Sequence, residues 1–244
     1  MKPDEGQLFS RAAALGLLGG AAGLLVGAAA APASPGIASS ACAVTPQGEI
    51  GPFFTDDSAS GFNRSNVRSN LNGTSTQAGV PLALTVRVYD TKKACVPMPG
   101  VQVDLWHCNA LGVYSDEPGE GTASQTWLRG YQVTDSNGSV TFTTIFPGWY
   151  GGRTTHIHLR VRSKYNSASS TDEGKNTTQL FFPEDAIRDV STSVAPYRTR
   201  GVNLRTNDSD YVYRTQTKGK TELVLSGDPR SGYAALVSIG LPIT

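Results

Sequence analysis

The sequence has no run of like charge. Its 21 basic and 20 acidic side chains nearly cancel, leaving a formal charge of +1, which gives no footing for a nucleic-acid or anionic-membrane partner. Cysteine is scarce as well. Only Cys42, Cys95 and Cys108 are present, none in a C-x-x-C spacing, so a cysteine-built zinc site is not expected. In an oxidising compartment an odd count predicts one disulfide and one spare thiol. Cys42 is expected to pair with one of the other two, and the spacing does not choose between them. Histidine is equally sparse, with only His107, His156 and His158.

The long uncharged run lies at the start. Ala12 to Ala33 is almost entirely Ala, Gly, Leu, Val and Pro, with Lys2 and Arg11 before it. Ala31-Pro32-Ala33 offers an A-x-A cleavage site, so residues 1–33 read as a signal peptide and the mature protein as secreted, with no stable membrane span after processing. The alternative is an uncleaved membrane anchor, because a run of this length just spans a bilayer.

What is plentiful is glycine (27) and proline (14), which punctuate a chain rich in strands and loops. Residues 34–80 are rich in Ser, Asn and Gly and read as an extended N-terminal arm. From Pro81 onward the pattern has period two. Leu82–Asp90, Val101–His107, Gly138–Ile145 and Ile157–Arg162 each alternate apolar and polar residues, as half-buried strands do. Turn residues separate them at Pro97-Met98-Pro99-Gly100, Asp135-Ser136-Asn137-Gly138 and Pro147-Gly148. Gln179–Phe182, Thr221–Leu225 and Tyr233–Ile239 supply further strands, and Glu184–Val190 a short helix. The fold predicted for residues 81–244 is all-β: an antiparallel β-sandwich with long loops.

Two of the three histidines stand two apart on a predicted strand. Alternation puts His156 and His158 on one face and Ile157, Leu159 and Val161 on the other. Such a pair offers two nitrogens to one metal. His107 falls with Val101, Val103 and Leu105, on the core side or its rim, where a buried, hydrogen-bonded imidazole is expected. A zinc enzyme using His107, His156 and His158 is the alternative, and a non-enzymatic, transthyretin-like binding module is a second. Nearby oxygen donors are the phenols Tyr150 and Tyr114. Phenolate is a hard anionic ligand, and a trivalent cation depresses a tyrosine pKa of about 10 far enough to ionise it.

Tyr150-x-x-Arg153-x-x-His156-Ile157-His158 after Pro147-Gly148 resembles the signature of the intradiol ring-cleavage dioxygenases. Gly51-Pro52-Phe53-Phe54 is similar to the family's substrate-side arm, here with Ile50 inserted after Glu49. Asp104 to Ser115 is similar to its D-x-W…N-x-x-G-x-Y element. Leu128-Arg129-Gly130, the Thr134–Gly138 turn and Thr178–Phe182 also match. The spacing from Tyr150 to Arg153 is shorter than in cytosolic members, and the wording is closer to secreted ones.

The resemblance implies an Fe(III) centre held by Tyr114, Tyr150, His156 and His158. Tyr150 would be an axial phenolate opposite His156, with Tyr114 and His158 equatorial. It implies that Arg153 and Gln179 face the substrate ring, and that Gly51, Pro52, Phe53, Phe54 and Trp149 line its pocket. The expected substrates are O2 and a catechol-type ring, with catechol or hydroxyquinol favoured over protocatechuate. The expected products are cis,cis-muconate-type diacids, as in the breakdown of lignin-derived phenols. The oligomeric state is left open.

Overall fold

A computed structural model describes residues 43–57, 61–162 and 176–243, all within one compact unit. The predicted signal peptide, the start of the arm and Cys42 lie outside the described residues. Two sheets pack face to face. In the first, β1 (Pro81–Asp90) pairs antiparallel with β2 (Val96–Pro97) and β5 (Ser139–Ile145), and parallel with β9 (Gly232–Leu241), which pairs with β8 (Leu225–Asp228). The second has the order β4 (Arg129–Val133), β3 (Gln102–Trp106), β6 (His156–Arg162), β7 (Asn176–Phe181), all antiparallel.

The period-two pattern becomes a two-sheet core. Leu82, Leu84, Val86 and Val88 of β1 meet Val103 and Leu105 of β3 and Ile157, Leu159 and Val161 of β6, all buried. Burying such side chains contributes about 1.5–3 kcal/mol each before entropy is counted. β1 alternates between buried and more exposed positions, whereas β6 is buried at every position. The outward face of β6 is therefore covered too, by the arm and by residues from the segment after Asn207. The Gly48 N–H donates to the Thr177 carbonyl at 2.8 Å, the Phe54 ring lies 5.0 Å from Trp106, and Tyr213 meets Phe181 edge-on at 5.1 Å.

Several local expectations change. The predicted helix runs further, as α1 (Glu184–Ser193), and a second follows, α2 (Ala195–Arg200). Pro196 sits in the first turn of α2, where its missing N–H costs nothing. A π-helical turn spans Val212–Thr217. The strand expected at Thr221 starts only at Leu225. The parallel β1–β9 pairing makes the first sheet mixed rather than purely antiparallel. Cys95 is disulfide-bonded and Cys108 is a buried free thiol. Among the described residues no helix is long and apolar enough to cross a membrane.

Candidate metal centre

β6 carries the histidine pair as its alternation predicts. Ile157 is fully buried in the core, while His156 and His158 turn to the covered outer face with their Nε2 atoms 3.1 Å apart. His156 Nδ1 lies 2.7 Å from the Thr154 carbonyl. A carbonyl only accepts, so Nδ1 carries the proton and Nε2 keeps its lone pair. Burial, and then the Arg153 charge, push the His156 pKa down to about 3. Burial also holds His158 well below its ordinary value. Both rings are held neutral. Trp106, opposite His158 in the β3–β6 register, stacks on its ring at 4.9 Å and 10°.

His107 follows Trp106 and so points to the other face. Its ring nitrogens reach the Cys108 carbonyl at 2.8 Å and Thr144 Oγ1 at 2.7 Å. Burial lowers its pKa to about 4. With both nitrogens committed it is not a ligand, and no group of three His, Cys, Asp or Glu residues gathers among the described residues. The three-histidine zinc alternative therefore fails on strand geometry.

The phenols stand beside the pair. Tyr150 Oη is 3.2 Å from His156 Nε2. Tyr114 is buried, and its hydroxyl has no hydrogen-bond partner. Its ring stacks on Phe53 at 4.2 Å and meets Tyr150 edge-on at 5.4 Å. The loop carrying Tyr114 is firmly held. Its N–H donates to Glu120 at 2.9 Å and its carbonyl accepts from Thr122 Oγ1 at 2.6 Å. Buried Arg129 grips the next residue, Ser115, at Oγ (2.8 Å) and at the carbonyl (2.6 Å). Nη1 of the same guanidinium reaches the Phe53 carbonyl at 3.4 Å.

This donor set fits a metal ion. With bonds of about 2.1 Å, neighbouring ligands stand about 3 Å apart and facing ones about 4 Å. The 3.1 and 3.2 Å separations match neighbours, and the orphaned Tyr114 hydroxyl would be a further donor. Tyr150 and His156 are hydrogen-bonded neighbours here. Burial raises both phenol pKa values, so ionising them needs a cation close by.

Arg153 and Gln179 come together above the pair. Gln179 lies opposite His158 in the β6–β7 register. Its Oε1 accepts from Arg153 Nη2, and its Nε2 donates to the Glu49 carbonyl at 2.8 Å. Gly51 of the arm crosses directly over His158. A Cβ there would lie 2.9 Å from His158 Cε1, and its φ of +74° suits glycine. Phe53 and Phe54 join the cluster of Trp106, Cys108, Tyr114 and Tyr150. Two expected pocket residues do not join it. Pro52 is exposed, and Trp149 turns to α2, donating to the Gly201 carbonyl at 2.9 Å under the Arg200 guanidinium.

Comparison with known proteins agrees with this geometry. A family model described as Dioxygenase matches residues 50–202, well over half of the chain. An intradiol ring-cleavage dioxygenase structure from Tetranychus urticae is 26% identical at a TM-score of 0.67, covering 83% of this chain and 97% of that one. The dioxygenase domain of a dioxygenase carbohydrate-binding protein fusion from Streptomyces sp. SirexAA-E is 27% identical at 0.57, covering 83% and 100%. A catechol 1,2-dioxygenase from Acinetobacter lwoffii is 29% identical over 143 residues, which are 54% of this chain but only 43% of that enzyme. By the family match and the shared fold, the chain belongs to the intradiol ring-cleavage dioxygenases.

Proposed function

We propose that this protein is a ferric-iron enzyme that opens catechol-type rings between the two hydroxylated carbons, taking up O2 and releasing cis,cis-muconate-type diacids. One observation carries the reading: two neutral imidazoles and two phenols converge under Arg153 and Gln179. Tyr114, Tyr150, His156 and His158 would hold the iron. When bound, Fe(III) supplies a Lewis acid that ionises phenols and activates the catechol ring toward O2.

The side chains divide the remaining work. Tyr150, hydrogen-bonded to His156 and only half-buried, is the phenol placed to take up a proton from an entering catechol. Tyr114, fully enclosed, is placed to stay. Arg153, always protonated, stabilises negative charge that develops on the substrate. Gly51, Phe53 and Phe54 roof the site and exclude water. This apolar roof favours catechol or hydroxyquinol over a carboxylated ring such as protocatechuate. The same proposal places the protein outside the cell, supported by the uncharged run before residue 34 and by a disulfide at Cys95.

Oxygen uptake tests this reading. Iron-loaded protein should consume one O2 per catechol and yield the diacid. No uptake, or a ring opened outside the diol, would overturn it.

A further inference from the structure

We propose that Asp210 is a positioning residue for ring cleavage, acting through Arg153; this rests on the ring-cleavage reading above. Asp210 is fully buried, and its carboxylate accepts five hydrogen bonds. Oδ2 takes Arg153 Nε at 2.8 Å and the Thr154 N–H at 3.0 Å. Oδ1 takes Arg153 Nη2 at 3.2 Å, the Val212 N–H at 3.0 Å and the Tyr213 N–H at 3.1 Å. Gln179 Oε1 takes Nη2 as well. Nε and Nη2 are thereby both held, which fixes the plane of the guanidinium.

Three consequences follow from chemistry. A free arginine side chain samples many rotamers, and a carboxylate held by three backbone N–H groups and gripping the guanidinium removes that freedom before substrate arrives. Thr154 is also the residue whose carbonyl fixes the His156 tautomer, so one carboxylate steadies both the cation and the imidazole. Finally, the site admits only an acceptor. An amide in either orientation would turn its NH2 toward N–H donors, so asparagine cannot replace the carboxylate. The donors from Val212 and Tyr213 open the π-helical turn, an element that recurs at functional sites.

A double-mutant cycle with Asp210→Asn and Arg153→Met tests this with two readouts. In thermal unfolding, each single change should lower Tm, and the pair together should lose less than the sum, because each alone strands its partner. Additive losses would overturn the pairing. In turnover of catechol, Asp210→Asn should lower kcat about 10–100-fold with KM and iron content near wild type, and should add little in the Arg153→Met background. Wild-type kcat in Asp210→Asn, or the same fold-loss in both backgrounds, would overturn the role. Should Asp210→Asn not fold, Asp210→Glu serves: a carboxylate shifted by one methylene should also lower kcat at constant KM, and wild-type kcat there would refute the role. Wild-type protein that ignores catechol would refute the ring-cleavage reading instead, leaving the Tm cycle to judge the pair.

Discussion

Trp106 lies flat on His158, ring centroids 4.9 Å apart and 10° from parallel. The β3–β6 register places them directly opposite. His158 Nδ1 has no hydrogen-bond partner, unlike His156, whose Nδ1 is tied to a carbonyl. The indole therefore does for His158 what a hydrogen bond does for His156: it sets the ring plane.

Trp106→Leu should release that plane. The expected cost is about 3 kcal/mol in stability from lost buried volume, with iron affinity reduced about 10-fold or more. Equilibrium denaturation and metal analysis read the two effects. Unchanged iron affinity would show that His158 needs no platform.

Gly51→Ala should damage the site without unfolding the protein. The added Cβ would press on His158 at 2.9 Å, and the φ of +74° costs a non-glycine residue about 1–2 kcal/mol. A ring displaced by even about 1 Å can cost on the order of 100-fold in rate. The expected outcome is kcat/KM lowered about 10–100-fold with a near-native far-UV spectrum. Wild-type kinetics would mean that the arm does not close on His158 as described.

Asp57 predicts a pH dependence of stability. Burial, partly offset by Arg129, pushes its carboxyl up to about 7 from the ordinary 3.8. Between these values the folded chain keeps the proton that the unfolded chain has released. The stability from this group is therefore full below about pH 4 and falls as pH rises toward 7. Asp57→Asn removes the penalty. Its stability relative to wild type should improve by roughly 2–3 kcal/mol between about pH 5 and 7.5. A difference that does not change with pH would contradict the buried, protonated carboxyl.

The sequence showed the β6 face clearly, because period two leaves no choice for His156 and His158 once Ile157 enters the core. It also showed why His107 stands apart, since the same alternation on β3 sends it inward. Tyr150 and Arg153 were legible through the family wording near the histidines. What was hidden depends on long-range pairing. Trp106 joins His158 only through the β3–β6 register. Asp210 meets Arg153 across 57 residues with no local signal, and Arg129, though part of a matching motif, showed nothing of its hold on the Tyr114 loop and the arm. The parallel β1–β9 pairing was hidden for the same reason. The Trp149 N–H found the Gly201 carbonyl, 52 residues on, a partner with no local signal either. Pro52, within the arm motif, is exposed.

The central claim is that two phenols and two imidazoles hold ferric iron and receive catechol, and a visible spectrum tests it most directly. Protein purified in air should be wine-red from tyrosinate-to-iron charge transfer, and catechol added without oxygen should move the band to longer wavelength. A protein that stays colourless after reconstitution with iron would contradict the four-ligand site.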